Sequence, residues 1–237
     1  RVKAIDLAQQ FKKYGGTEDI TEEAIANDDV GAIQRIPRSL QAAAAETLYQ
    51  TVLDVMRTNA TLSFDTARAL FVTLSADINA VAGAFTVATM NAARSAMRQQ
   101  QPFGDTSKRM GATNLPKLWL GPPELEQTAA RIFGSRVTPT DAGFNATEEP
   151  NLHGGSQIET HVVDYWTDDA DCVLVADPTK CDTLELGFLG GQEEPALYVQ
   201  DLPNVGSVFN ADKITWKIKH VWGFAYLDWR GFYGFSR

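Results

Sequence analysis

A single stretch, residues 27–59, constrains the fold of this chain more than any other. It reads NDDVGAIQRIPRSLQAAAAETLYQTVLDVMRTN, and its apolar residues recur at steps of three and four. Such spacing turns one face of a helix towards a core. The apolar positions are Ile33, Ile36, Leu40, Ala44, Leu48, Val52 and Val55. The stretch therefore predicts a long amphipathic helix that packs against the rest of the protein.

Pro37 is the one interruption in this pattern. Proline has no backbone N–H and disfavours helical geometry in the preceding residue, here Ile36. We therefore expect a short helix that ends at Ile36 and a longer one with Pro37 in its first turn. Asn27 or Asp28 would cap the start. About twenty residues follow the break, which form a rod of roughly 30 Å at about 1.5 Å per residue.

The rest of the chain predicts an α+β protein with helices first and strands last. Residues 1–16 suggest an extended arm or a short helix. Helices are predicted at 87–101, capped by Thr86, and from Pro122 to Gly134. Strands are predicted at 117–121, 158–165, 172–176, 183–188, 197–200 and 214–226. In the last strand the apolar alternation breaks before Trp222, which we interpret as a bulge at Gly223.

The charge of the chain is unevenly distributed. Within a net charge of −9, residues 137–212 carry fifteen acids and one base, whereas residues 213–237 carry five bases and one acid. Residues 61–136 carry eight bases and five acids. A chain without a basic stripe is a poor candidate for wrapping nucleic acid, because phosphate neutralisation needs clustered Lys and Arg. The asymmetry fits either opposite-sign surfaces that meet between copies or a solvated acidic face.

No sequence motif identifies an active site. The chain has no phosphate-binding loop, dinucleotide fingerprint or serine-hydrolase elbow, and no apolar run long enough for a membrane span. His153, His161 and Asp164 could form a His–His–Asp cluster in space, although scattered histidines are commonly structural. Cys172 and Cys181 are interpreted as reduced thiols, since no second pair completes a zinc site. We expect no catalytic, cofactor-binding or metal-binding residue.

Four separated segments resemble the major capsid proteins of tailed bacteriophages. AIANDDVGAIQRIPRSLQAAAAETLYQTVLDVM resembles their spine-helix region, and LWLGPPELEQTAARIF resembles the strand and helix of their axial domain. DTLELGFLGGQEEPALYVQ and ITWKIKHVWGFAYLDWRGFY resemble their closing peripheral-domain strands. The particular group is the one often encoded fused to, or beside, a ClpP-like prohead protease.

The resemblance implies the Hong Kong ninety-seven capsid fold. Residues 27–59 would form the spine helix of the peripheral domain, residues 60–181 the axial domain, and residues 182–237 the peripheral-domain strands. Residues 1–26 would be a remnant of the N-terminal arm and extension loop, which are otherwise largely missing. We expect the aromatic tail after residue 226 to continue the peripheral sheet beside the spine helix rather than to be flexible.

The resemblance also implies a structural function and no enzymatic activity. The protein would assemble from pentamers and hexamers into an icosahedral shell that encloses double-stranded DNA without sequence-specific binding. Portal, scaffold or protease and decoration proteins would be its partners. It would assemble in the bacterial host cytoplasm and reside in the virion. The alternatives are an encapsulin-like shell protein of a cellular nanocompartment, and an enzyme with a scattered acid–histidine site.

Overall fold

A computed structural model describes most of the chain as two compact units. The described residues are 11–27, 32–59, 69–73, 78–102, 104–105, 107–139, 150–155 and 158–236. The larger unit contains Val55–Glu185 and Ala225–Arg237, and the smaller unit contains Gln9–Asp54 and Leu186–Phe224. Both units therefore combine segments that are distant in the sequence.

The described elements confirm a mixed α+β architecture. The strands are β1 Lys12–Thr21, β2 Ala80–Val81, β3 Pro116–Gly121, β4 Glu159–Val162, β5 Cys172–Ala176, β6 Leu184–Phe188, β7 Ala196–Gln200, β8 Lys213–Tyr226 and β9 Phe232–Phe235. The α-helices are α1 Glu22–Ala26, α2 Ala32–Thr58, α3 Val87–Gln99, α4 Glu126–Gly134 and α5 Ser207–Ala211. Among the described helices, none is long and apolar enough to cross a membrane.

The long helix α2 confirms the amphipathic prediction but not the predicted break. It continues through Pro37, so the expectation of two helices was wrong. A proline this near the start removes one backbone hydrogen bond, and the five following turns outweigh that loss. Asn27 caps the end of α1 instead of the start of α2, with its side chain donating to the Glu23 carbonyl at 3.0 Å. Asp28 lies outside the described residues.

The predicted apolar face of α2 is only partly covered within one chain. Ile36 and Val52 are buried. The predicted positions between them, Leu40, Ala44 and Leu48, are half-buried. The side chain of Ile33 is outside the described part of the protein. The helix therefore points the expected residues inward and still leaves part of that face accessible.

The sheet of the smaller unit is organised around the long strand β8. β1 pairs with it antiparallel, from Lys12 opposite Trp222 to Thr21 opposite Lys213. β7 pairs antiparallel with β8, with Ala196 opposite Lys219, and β6 also pairs with β8. The residues predicted as an arm or short helix thus form a strand from Lys12 onwards, while residues 1–10 lie outside the described range. Its partner is some 200 residues away, so local sequence could not reveal the pairing.

The alternation of β8 does not break before Trp222, contrary to the prediction, but Trp222 and Gly223 are both buried, so the inward face shifts at the residue where the bulge was predicted. Trp216, Ile218, His220 and Trp222 are all buried, so the inward positions run without interruption through His220. The pairing with β1 is equally regular over residues 213–222. The break was predicted before Trp222 because His220 is a polar residue. In the structure its ring stacks on Phe188, with ring centroids 5.5 Å apart.

The sheet of the larger unit has the order β2-β9-β5-β3-β4. β5 lies at its centre, antiparallel to β9 and β3, whereas the outer strands β2 and β4 run parallel to their neighbours. All residues of β5 and β9 are buried. The expectation that the aromatic tail continues the sheet of β8 was therefore wrong, because β9 pairs with β5 and β2 in the other sheet.

Two helices pack on one face of this larger sheet. Thr86 begins α3 with a capping box, in which its hydroxyl accepts from the Thr89 N–H and the Thr89 hydroxyl accepts in return. The capping prediction is confirmed. The buried core cluster joins both helices to the sheet and contains Phe85, Met90, Ala93, Met97, Trp119, Ala129, Ile132, Phe133, Cys172, Leu174, Ala176, Cys181, Tyr233 and Phe235.

Candidate assembly surface

The histidine–aspartate cluster considered from the sequence does not form. His153 is fully buried, whereas His161 on β4 and Asp164 are exposed. No group of three His, Cys, Asp or Glu residues in the described part of the chain could hold a metal ion. A catalytic or metal-binding interpretation of these residues therefore has no structural support.

His153 instead holds two segments of the larger unit together. Its Nε2 lies 2.8 Å from the Asn91 Oδ1 on α3, an acceptor, so Nε2 carries the hydrogen. Its backbone N–H donates to the Asn151 Oδ1 at 3.0 Å. Burial, together with the nearby Arg94 guanidinium, lowers the pKa of His153 to about 4. The imidazole is therefore neutral at pH 7 and acts as a structural linker.

The two cysteines are also structural. Both thiols are free and buried. Burial, with the nearby Asp228 and Asp182 carboxylates, raises the pKa of the Cys181 thiol to about 12. A thiol with so high a pKa is a poor nucleophile at neutral pH, because only the thiolate reacts. Cys172 and Cys181 belong to the core cluster of the larger unit.

Exposed apolar side chains are concentrated in the smaller unit. Of the nine large apolar residues described as exposed, seven belong to it: Phe11, Leu189, Tyr198, Val199, Leu202, Val205 and Phe209. The larger unit contributes Ile78 and Leu152. Soluble monomers rarely expose many large apolar residues in one region, and such regions commonly bind other proteins.

The densest part of this set is the segment that connects β7 to β8. Leu202, Val205 and Phe209 are 65%, 56% and 71% exposed. The backbone is nevertheless ordered by hydrogen bonds, from Val205 N–H to the Leu202 carbonyl and from Asn210 N–H to the Gly206 carbonyl. The short helix α5 thus holds its apolar side chains outward on a defined backbone. We call residues 198–209, together with Leu189, the apolar edge.

The sequence profile of a known family matches nearly the whole chain. The profile describes phage capsid proteins and aligns with residues 5–234. The chain belongs to the phage capsid protein family. It is therefore a structural protein of the virion capsid and not an enzyme, which removes the enzymatic alternative. A comparison with curated protein sequences finds no significant match.

Solved phage structures share the fold at low sequence identity. One from Mycobacterium phage Patience aligns with a TM-score of 0.60 and 11% identity over 96% of this chain and 69% of that one. The capsid asymmetric unit of cyanophage Pam1 aligns with a TM-score of 0.57 and 9% identity, over 96% of this chain and 74% of that one. A structure from Mycobacterium phage Adephagia aligns with a TM-score of 0.55 and 14% identity, over 92% of this chain and 66% of that one. This capsid chain thus spans just under two thirds of the Adephagia chain.

Sequence reasoning found the family but missed the apolar edge. Leu202, Val205 and Phe209 lie among Asp, Pro, Asn and Gly residues, in a context typical of a polar loop. Their spacing also follows neither a strand nor a helix over a useful length. The one indication in the sequence was the presence of large apolar residues in a turn-rich segment, because exposing such side chains to water is unfavourable in a solvated loop.

Proposed function

We propose that this chain is the major capsid protein of a tailed bacteriophage, which self-assembles into an icosahedral shell around the double-stranded DNA genome. The observation that carries the proposal is the apolar edge on a member of the phage capsid family. Such a surface is unfavourable in water, and neighbouring copies in a closed shell would cover it. The phage family match favours this function over a nanocompartment shell.

The proposed domain organisation follows the Hong Kong ninety-seven capsid fold. Residues 27–59 would form the peripheral-domain spine helix, in keeping with the observed α2. Residues 60–181 would form the axial domain and residues 182–237 the peripheral strands, except that β9 would belong with the axial residues because it pairs with β5 and β2. Residues 1–26 would be a remnant of the arm and extension loop. Pentamers and hexamers of this subunit would build the shell, with portal, scaffold or protease, and decoration proteins as partners. A ClpP-like prohead protease encoded nearby completes the proposal.

Electron microscopy of the purified protein tests the proposal directly. We expect negative-stain images to show closed isometric particles of uniform diameter. A matched Phe209→Asp variant, which places a charge in the apolar edge, should remain as small oligomers or monomers with unchanged circular dichroism. Wild-type protein that stays monomeric at every concentration and ionic strength tested would contradict shell assembly.

A further inference from the structure

A cationic groove lies on the larger unit of this acidic protein. Two cavities of about 380 and 420 Å³ both have Arg94 and Leu152 in their linings. The cations that line them are Arg94, Arg98, Arg109, Lys117 and Lys180. We define the cationic groove as these five residues with Leu152. Its charge is opposite to the net charge of −9 of the whole chain.

Most of this positive charge is not neutralised within the described chain. Among the described residues, none of the three arginines forms an ion pair. The one described acid in the lining is Asp177, which lies 3.5 Å from the Lys117 Nζ. An unbalanced cluster of arginines favours a ligand with several negative charges, because the planar guanidinium binds carboxylates or phosphates through two parallel hydrogen bonds.

The groove is held on a rigid framework. Arg94 and Arg98 lie four residues apart on α3, so both side chains leave the same face of that helix. Leu152 is 65% exposed, but its neighbour His153 is fully buried and bonded to Asn91 at 2.8 Å. The backbone that presents Leu152 is therefore fixed against α3, and a bound partner would meet charges and an apolar contact already in position.

Leu152 helps to distinguish between two kinds of anionic ligand. A phosphate backbone would make no apolar contact with Leu152. A protein segment with acids beside an apolar residue would match both the cations and the leucine of the groove. The loop after β6 offers that combination. Its Glu193 and Glu194 are exposed, and its Leu189 is 54% exposed. Gly190 and Gly191 have φ of 67° and 71°, which sets a tight turn between the leucine and the acids.

We propose that the cationic groove binds residues 189–194 of a second copy of this chain. Glu193 and Glu194 would form charge-assisted hydrogen bonds with the groove arginines, and Leu189 would contact Leu152. The contact joins different surfaces of the two copies, so repetition of it builds a ring when the rotation closes. The inference rests on the proposed shell assembly and identifies one of its contacts.

Charge-reversal variants of the full chain test this contact. Arg94→Glu with Arg98→Glu should slow particle formation, followed by light scattering, about tenfold or more, because like charges then face each other. Glu193→Arg with Glu194→Arg should do the same. The four changes combined should restore the rate to within about threefold of the wild type. Asp168→Arg with Asp169→Arg, an equal charge change at exposed acids outside the pair, serves as the control and should have no such effect.

The outcomes separate this contact from shell assembly itself. Wild-type protein that forms no particles contradicts the proposed function and, with it, this contact. Wild-type particles together with normal assembly of both charge-reversed pairs would overturn the contact alone. Slowed assembly without rescue in the combined variant would also overturn it, since the loop would then be the wrong partner. If the arginine variant assembled normally but bound less duplex DNA in a filter assay, the groove would be a phosphate site and the proposal would be wrong.

Discussion

The two units of this protein differ in how far each completes its own core. In the larger unit, the central strand β5 and the strand β9 are buried at every position, and two helices cover one face of the sheet. In the smaller unit, β7 and α5 contain no buried residue, and most of the exposed large apolar side chains lie there. The larger unit therefore buries most of its apolar side chains within itself, whereas the smaller unit leaves many of its own accessible.

The sequences of the strands account for this difference. β5 reads CVLVA and β9 reads FYGF, continuous apolar runs that suit strands covered on both faces. β1 reads KKYGGTEDIT, with polar residues on both faces, so it cannot join two layers of core. Tyr14 is its main anchor and stacks on Trp222 at a centroid distance of 4.3 Å. The smaller unit therefore gains stability from one sheet face and from α2.

The sharpest test of the comparison is the same substitution in each unit. Phe232→Ala removes a fully buried ring that packs edge-on against Tyr226, and we expect a loss of about 3–5 kcal/mol in the free energy of unfolding. Phe209→Ala removes a ring that is 71% exposed, and we expect a change within about 0.5 kcal/mol. Urea denaturation of unassembled protein measures both. Equal losses of stability in the two variants would mean that the units do not differ in how completely they bury their apolar side chains.

The order of effects should reverse when assembly is measured instead of stability. Covering one Phe side chain contributes about 1.5–3 kcal/mol, so Phe209→Ala should raise the protein concentration needed for particle formation about tenfold or more. Ile78→Ala, at an exposed apolar position of the larger unit, is the matched control and should leave that concentration nearly unchanged. Sedimentation of assembly mixtures measures this concentration. An equal increase for the two variants would contradict a specific contribution of the smaller unit's exposed apolar residues to assembly.

A smaller effect concerns pH and is confined to the larger unit. The folded-state pKa of His153 is lowered from 6.5 to about 4, so the unfolded chain binds its proton first as the pH falls. The contribution of neutral His153 to the free energy of unfolding is therefore fully present above pH 6.5 and is lost as the pH falls from 6.5 to 4. Between pH 7 and pH 5 the free energy of unfolding should fall by about 1–2 kcal/mol from this cause. His153→Gln keeps a hydrogen-bond donor for Asn91 and cannot titrate. The free energy of unfolding of this variant should fall by about that much less than the wild type's between pH 7 and pH 5. An equal fall in the two proteins would show that His153 is not the group responsible.

Elements with a strong local pattern could be predicted from the sequence. The alternation of 214–226, the apolar run at 172–176 and the Thr86 cap each specify local geometry, and β8, β5 and α3 confirmed them. Pro37 misled the prediction, because the proline rule assumes that local cost decides, whereas α2 has many other stabilising turns. His220 misled it because a polar residue type was taken to mark a polar position.

What the sequence could not provide was the pairing of distant segments. β1 and β9 join strands far away in the chain, and the polar sequence of β1 gives no sign of its partner. The cationic groove has the same origin. Residues 61–136 carry a surplus of bases, but only the fold brings Arg94 and Arg109 to one cavity beside Leu152. A surface of this kind depends on tertiary placement, and local periodicity does not encode it.

In the proposed shell, neighbouring copies would cover the apolar edge of the smaller unit. Hydrogen–deuterium exchange tests it most directly, with assembled wild-type particles compared against the unassembled Phe209→Asp variant. We predict that amides of residues 196–211 become markedly more protected in particles, while those of β5 and β9 are strongly protected in both states. Particles in which residues 196–211 exchange as fast as in the unassembled variant would contradict the account.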